Sequence, residues 1–211
     1  MISATFLIIG SSSLILFATI GFFILHDNIT WLDQWWMDVM ETIQFSPLQW
    51  LMRLFTIFGD ILFLSFIVFG TMIYFVKFNK KRNAIILGTI YTGYIIVNQL
   101  FKRIIERERP PVERIVEVTG SSFPSGHTMG AVAIYGILLL FVFYSKKQMP
   151  YKKQLTMTLA ALPFAVAFSR TYLGAHFATD VLAAAFLSIT VICYTLALPI
   201  FKNKNQSSPK S

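Results

Sequence analysis

Charged residues are scarce in this sequence, and cysteine and histidine are almost absent. Only 13% of its 211 residues are charged, which is about half the usual share of a soluble domain. Since 55% are hydrophobic, the chain cannot hide its apolar surface in one soluble core. Its single cysteine, Cys193, excludes a disulfide framework and a cysteine metal cluster. One of only three histidines, His127, follows a Pro-Ser-Gly turn directly before an apolar run.

Long apolar runs occupy most of the chain and predict an all-α membrane protein. A bilayer crossing needs about 20 mostly apolar residues, and six runs approach that length. They cover residues 2–25, 61–76 with an extension back to 54, 84–101, 128–144, 155–168 continuing to about 172, and 181–201. The first run lacks the basic start and the cleavage site of a signal peptide. We predict a six-transmembrane-helix bundle in a single integral-membrane domain over residues 1–201, followed by a short disordered cytoplasmic tail at 202–211.

Basic residues after the second, fourth and sixth runs predict the orientation of this bundle. They are Lys77, Lys80, Lys81 and Arg82, then Lys146, Lys147, Lys152 and Lys153, then Lys202, Lys204 and Lys210. Because basic loops stay in the cytoplasm, we expect a multi-pass protein of the cell membrane with both termini inside. The loop after the first run is acidic, as expected for the outer side.

The segment FKRIIERERPPVER at 101–114 breaks this rule, because it is basic but lies on the predicted outer side. One interpretation is a solvated charge run; the other is that these cations face an anion. All the unusual polar residues fall on the same predicted face, whereas accidental matches would be divided between two faces. They are Lys102, Arg109, Ser125, Gly126, His127, Arg170, His176 and Asp180.

Five of these residues are suited to holding a phosphate. The guanidinium groups of Arg109 and Arg170 match phosphate oxygens in a bidentate way, and Lys102 acts as a point charge. Ser125 and Gly126 stand at a predicted helix start, where free N–H groups favour an anion. The simpler alternatives are that this pair is only a helix cap and that Arg-Pro-Pro at 109–111 only stops a helix.

The other three residues are suited to proton and group transfer. His176 and Asp180 are spaced i,i+4, which predicts that they share one helical face. A carboxylate there can orient the imidazole and stabilise its cation. His127 is a second imidazole that could donate a proton to a leaving oxygen. Together with the cations, these residues indicate phosphoryl transfer.

Three ordered motifs resemble the signature of the type 2 phosphatidic acid phosphatase superfamily. They are Lys102-x6-Arg109-Pro110, then Pro124-Ser125-Gly126-His127, then Ser169-Arg170-x5-His176-x3-Asp180. The resemblance implies a metal-independent lipid phosphatase without a cofactor. It implies that His176 forms a phosphohistidine with help from Asp180 and that His127 protonates the leaving group. Phosphate binding is implied for Lys102, Arg109, Ser125, Gly126 and Arg170.

Two other classes of protein remain as alternatives. The vanadate-dependent haloperoxidases resemble the same motifs, but they are soluble and lack six spans. A non-catalytic lipid-binding or transport protein could use the same scaffold without His127, His176 or Asp180. The expected partners are a lipid phosphate and the bilayer, with no nucleic acid, and the oligomeric state stays open.

The predicted position of the site on the outer side of the membrane allows the candidate substrates to be ranked. Undecaprenyl pyrophosphate exposes its phosphates on the outer leaflet and is placed first, before phosphatidylglycerophosphate or phosphatidic acid.

Residues 31–43 predict one further element, an amphipathic helix in the outer membrane interface. The apolar stripe contains Trp31, Trp35 and Trp36, and Trp is favoured at membrane interfaces. Asp33 is assigned to the opposite, polar face. A lid packed over the bundle is the alternative. Asp60, near the outer end of the second span, is interpreted as a cap.

Overall fold

The computed structural model describes residues 2–112, 115–145 and 149–199, and the side chains from residue 4 onward within those ranges. These residues form eight α-helices and no strand. The helices are α1 (Ile2–Leu25), α2 (Thr30–Thr42), α3 (Ser46–Ile57), α4 (Ile61–Lys77), α5 (Lys81–Ile105), α6 (Gly126–Phe143), α7 (Lys152–Tyr172) and α8 (Ala178–Ala197). The all-α class is confirmed. The predicted tail at 202–211 and the basic residues Lys146 and Lys147 lie outside the described residues.

Each of the six predicted apolar runs contains a helix, but fewer than six meet the requirements for a membrane span. Four helices are long and apolar enough, namely α1, α5, α6 and α8. A fifth span results if α3 and α4, which are bent by 44°, cross as one unit. α4 alone has 17 residues, short of the about 20 that a crossing needs. α7 begins with two lysines and ends near an arginine, which lowers its hydropathy. A multi-pass membrane protein is therefore confirmed, while six crossings stay a prediction.

The helices of the bundle pack closely around α6. α6 contacts α7 and α8, α5 lies against α4 and α6, and α1 runs along α8. Leu64, Ile90 and Ile134 are fully buried between them. Gly130 permits the close approach of α4 and α6, because a Cβ at this position would lie 2.6 Å from Cδ1 of Leu64. Close packing of these helices fixes the relative positions of their ends, where the site residues lie.

The chain between α1 and α4 differs from the prediction in two respects. The second run does not extend back as one helix: α3 ends at Ile57, and Asp60 begins α4 by accepting a hydrogen bond from the Leu62 amide at 2.8 Å. Asp60 is therefore the cap that was predicted. The assignment of Asp33 to the polar face of α2 is wrong, since its side chain is 2% exposed and paired with Arg107. Trp31 and Trp35, by contrast, are well exposed.

Candidate active site

Four helix ends meet at one end of the bundle. They are the C-termini of α5 and α7 and the N-termini of α6 and α8. The predicted site residues at or beside these ends are Lys102, Arg109, Ser125, Gly126, His127, Arg170, His176 and Asp180. Lys102 is close enough to interact electrostatically with Arg109, Arg170 and Asp180. His127 interacts in the same way with the three cations and with His176. The structure therefore brings the predicted residues together.

His176 and Asp180 face each other, although they do not share a helix. α8 begins at Ala178, so His176 lies in the preceding turn, and the prediction of one common helical face is wrong. Asp180 reaches backward because a carboxylate in the first turn can accept a free amide at the helix start. Its Oδ2 accepts the Phe177 N–H at 2.9 Å and lies 3.6 Å from Nδ1 of His176. Since Nδ1 faces the carboxylate, Nε2 is the ring nitrogen left to react.

Ser122 completes this pair, and no role was predicted for it. Its hydroxyl donates a short hydrogen bond to Oδ2 of Asp180 and lies 3.4 Å from Nδ1 of His176. Its own amide donates to the carbonyl of Arg107 at 2.8 Å. Ser122 is fully buried, so water does not compete for these contacts. Its only sequence signal is its position just before the Pro-Ser-Gly turn.

The environment of His176 keeps its ring neutral at neutral pH. Burial is the largest effect and lowers the pKa of His176 to about 4, although the hydrogen bond and charge of Asp180 act in the opposite direction. The cations Arg170 and Arg109 lower it further. A neutral imidazole has a free lone pair on the nitrogen that carries no proton, which is the form required of a nucleophile.

Arg170 is a buried cation with incomplete pairing. Its side chain is 2% exposed, and Nη1 donates to the hydroxyl of Thr56 at 2.6 Å. Its Nε has no hydrogen-bond partner among the described residues. Nor does any described carboxylate lie within 4 Å of Arg170 or Lys102. Burying an uncompensated charge is costly, so an anion bound here would be strongly favoured.

Arg109 combines a charge with a structural role. Its guanidinium donates to the carbonyls of Ala175, Thr119 and Gly120 at 2.7, 2.8 and 3.0 Å. These bonds tie the loop before α6 to the turn that carries His176. The charge of Arg109 still acts on His127 and Arg170. It therefore adds to the positive potential of the site while it holds two loops together.

In the turn at the start of α6, backbone amide groups rather than the Ser125 hydroxyl are available to a ligand. Ser125 is fully buried and caps α6, with its Oγ 3.5 Å from the Thr128 nitrogen. Its own amide donates to the backbone oxygen of Asp180 at 3.3 Å. The amides of Gly126 and His127 belong to the first helical turn, where no carbonyl of the helix can accept them. These amides, with the positive end of the helix dipole, are the groups of this turn best suited to a phosphate.

His127 occupies a restricted position in this turn. It is half-buried and packs against Gly59, where an added Cβ would lie 3.0 Å from both Cβ and the backbone oxygen of His127. The same Cβ would lie 2.6 Å from Cγ1 of Val166. Gly59 therefore allows the α3–α4 break to approach the start of α6. The cations around His127 favour an anionic ligand beside its ring.

A cleft of about 110 Å³ leads from α2 to His176. Its walls are Trp36, Met37, Met40, Glu41, Gln44, Pro110, Val112, Thr171, Gly174 and His176. The Nε1 of Trp36 is buried and has no hydrogen-bond partner among the described residues. The cleft thus offers apolar contacts and polar groups beside the predicted nucleophile.

The groups at this end of the bundle that could neutralise an anion are cationic side chains. Within residues 2–112, 115–145 and 149–199, no group of three or more His, Cys, Asp or Glu side chains is placed to hold a metal. Mg²⁺ is usually held by carboxylates together with phosphate oxygens. Lys102, Arg109 and Arg170 place positive charge at the same end of the bundle as the His176–Asp180 pair.

Comparison with known proteins identifies the family. The PAP2 superfamily model matches residues 83–204, more than half of the chain. The chain belongs to the PAP2 superfamily. This confirms the family expected from the three motifs, all of which lie within or just beside the helices of the matched region.

One relative in sequence and two solved structures are also similar to the chain. The chain is 30% identical over 127 residues to phosphatidylglycerophosphatase B of Bacillus subtilis (strain 168), which is 58% of this chain and 60% of the relative. The crystal structure of a transmembrane PAP2-type phosphatidylglycerolphosphate phosphatase from Bacillus subtilis superposes with a TM-score of 0.77 at 25% identity, covering 88% and 93% of the two chains. Aquifex aeolicus LpxE shares the fold, with a TM-score of 0.61 at 19% identity, covering 76% and 92%.

Proposed function

We propose that this protein hydrolyses the phosphate ester of a membrane lipid through a phosphohistidine at His176. The observation that carries the proposal is the buried guanidinium of Arg170, unpaired with any described carboxylate, at the same end of the bundle as the neutral imidazole of His176 and its partner Asp180. A phosphate would supply the missing negative charge. A phosphate held there would lie beside a nitrogen able to attack it.

The reaction proceeds in two displacements. Nε2 of His176 attacks phosphorus, the bond from phosphorus to the lipid oxygen breaks, and His127 gives its proton to that oxygen. Water then attacks the phosphohistidine, His127 accepts a proton from it, and the bond from phosphorus to nitrogen breaks to release phosphate. Asp180 stabilises the positive charge that develops on His176. Lys102, Arg109 and Arg170 stabilise the transferring phosphoryl group.

We propose a glycerophospholipid phosphate, phosphatidylglycerophosphate, as the first substrate to test. The sequence relative and the first of the similar crystal structures, both from Bacillus subtilis, carry that activity in their names. The cleft beside His176 supports the choice, because a leaving alcohol there would meet Gln44, Thr171 and the N–H of Trp36, which has no partner among the described residues. Such polar groups suit a glycerol headgroup. The sequence alone predicted the opposite order, with undecaprenyl pyrophosphate first and phosphatidylglycerophosphate second.

Undecaprenyl pyrophosphate is the second candidate, favoured by the predicted orientation. Basic residues at 77–82 and 152–153 lie at the end of the bundle opposite the site residues, and basic loops stay in the cytoplasm. The site would then face outward. Cysteines introduced at 119 and 148, in a chain whose Cys193 is replaced by serine, test this with an impermeant thiol reagent on intact cells. Labelling at 119 alone is expected, and labelling at 148 alone would remove the reason for this candidate.

A turnover assay with purified protein in mixed micelles tests the proposed function. The panel contains phosphatidylglycerophosphate, phosphatidic acid and undecaprenyl pyrophosphate, with phosphate release as the readout. We expect release from the first, and none with the His176→Ala variant. Faster turnover of the pyrophosphate would make the second candidate the substrate. Binding of the lipids without turnover of any would contradict the proposed function and favour a lipid-binding or transport protein.

A further inference from the structure

We propose that Arg107 is a positioning residue, which fixes the Asp180 carboxylate behind His176 and is itself held by Asp33 of α2. Arg107 lies between Lys102 and Arg109 in the basic segment, but the family motifs do not include it. Since Asp180 orients the predicted nucleophile, this inference rests on the proposed function. It extends the catalytic apparatus to the helix that lies beside the bundle.

Arg107 joins two buried carboxylates from distant parts of the chain. Its Nη1 donates to Oδ1 of Asp180 at 2.6 Å, and its Nη2 donates to Oδ2 of Asp33 at 2.6 Å. The exposed fractions of the two carboxylate side chains are 0% and 2%, and that of Arg107 is 12%. The guanidinium also lies 4.1 Å from the centre of the Phe177 ring. Removing one member of such a buried network leaves a charge without compensation.

The contacts of Asp180 are divided between its two oxygens. Oδ2 faces Ser122, the Phe177 amide and Nδ1 of His176. Oδ1 accepts a hydrogen bond from Nη1 of Arg107. The bond to Arg107 therefore opposes rotation of the carboxylate and keeps Oδ2 directed at the imidazole. Because a misplacement of about 1 Å can cost roughly 100-fold in rate, loss of this orientation is expected to slow the reaction.

Asp33 fixes Arg107 and attaches α2 to the start of α8. Its Oδ1 accepts the Thr179 amide at 3.0 Å, and its Oδ2 accepts the Thr179 hydroxyl at 2.7 Å. Arg107 also donates to that hydroxyl at 2.7 Å. An acidic group at a helix N-terminus is favoured by the free amides and the helix dipole. Asp33 thus caps α8 from another helix, at the residue directly before Asp180.

The charges of this cluster suit its role. Arg107 balances one of the two carboxylates, so the group Asp33, Arg107 and Asp180 carries one net negative charge beside His176. That charge matches the positive imidazole that forms when His176 is phosphorylated. Among the described residues, the Arg107 side chain makes its hydrogen bonds to Asp33, Thr179 and Asp180 and none to the phosphate-binding set. Its removal is therefore expected to slow the chemical step rather than weaken substrate binding.

Steady-state kinetics on the full-length protein test the inference. Arg107→Ala is expected to lower kcat roughly 10- to 100-fold with little change in KM, a range typical of misplaced catalytic groups. Asp33→Asn, which retains a similar shape, is expected to give a smaller fall in kcat. Arg103→Ala, an exposed arginine in the same segment, is the matched control and should retain normal kinetics.

A double-mutant cycle with Asp180→Asn separates positioning from general support of the fold. If Arg107 acts through Asp180, its removal should cost little more in the Asp180→Asn background. Equal losses in both backgrounds, or a raised KM with unchanged kcat, would overturn the inference. If Arg107→Ala does not fold, Arg107→Lys enters the cycle, since a single ammonium cannot bridge both carboxylates. No turnover by the wild-type protein would instead refute the proposed function.

Discussion

Replacing Arg170 by lysine tests whether the buried guanidinium binds phosphate. The substitution keeps the positive charge but removes the planar fork, including the Nε that lacks a partner among the described residues. A hydrogen bond to a charged group is worth about 1.5–3 kcal/mol. Since about 1.4 kcal/mol corresponds to a factor of ten, Arg170→Lys should lower kcat/KM roughly 10- to 100-fold.

The same substitution should weaken inhibition by a phosphate-like anion. Vanadate does not need the chemical step, so its inhibition constant reports on the anion site alone. We expect this constant to rise roughly 10- to 100-fold in Arg170→Lys, on the same energy scale. Arg82→Lys, at the opposite end of α5, is the matched control and should change neither quantity. Unchanged kcat/KM and unchanged inhibition in Arg170→Lys would refute phosphate binding by this side chain.

Three further predictions concern proton transfer, protonation state and metals. His127→Ala should lower kcat/KM, which reports on the first displacement and not on the later hydrolysis of the phosphohistidine, roughly 10²–10⁴-fold for a lipid phosphate. The fall in kcat/KM should be much smaller for a nitrophenyl ester, whose leaving group needs no proton; equal losses would reassign His127 to binding. Burial holds the pKa of His176 near 4, so its ring should stay neutral down to about pH 5. A histidine with the ordinary pKa of about 6.5 is mostly protonated at that pH. NMR of ring-labelled histidine, assigned by substituting each of the three in turn, checks this, and a midpoint near 6.5 for His176 would contradict it. Turnover should survive a chelator, and loss of activity that Mg²⁺ restores would count against neutralisation by the arginines and lysine.

The sequence was sufficient for the motif residues and for most of the helices, because both depend on local patterns. The exception is α3 (Ser46–Ile57), most of which lies before the second predicted run. Apolar runs longer than a few turns predict helices whatever surrounds them. Alternation of membrane sides along the chain predicted that Lys102, Ser125, Arg170 and His176 would meet at one end, and the structure places them there. Their chemical roles stay predictions.

The contacts that support the site form between distant parts of the chain, so they have no signature in the local sequence. Asp33 and Arg107 are 74 residues apart, and an acidic residue in an amphipathic helix is assigned to the polar face unless its distant partner is known. α8 begins after His176, and i,i+4 spacing alone does not determine where a helix starts. The position of His176 outside α8 could therefore not be predicted from that spacing. The break at Gly59 was also missed, since the close approach of α6 that requires a glycine there is visible only in the folded bundle.

Trapping the covalent intermediate tests the central claim most directly. Labelled lipid phosphate would be mixed rapidly with purified protein and quenched without acid, because phosphohistidine is acid-labile, and the label would be located by peptide mapping. We predict label on His176 in the wild-type protein and none in His176→Ala, with the His127→Ala variant retaining it. Turnover of the wild-type protein without label on His176, or full activity of His176→Ala, would contradict the account.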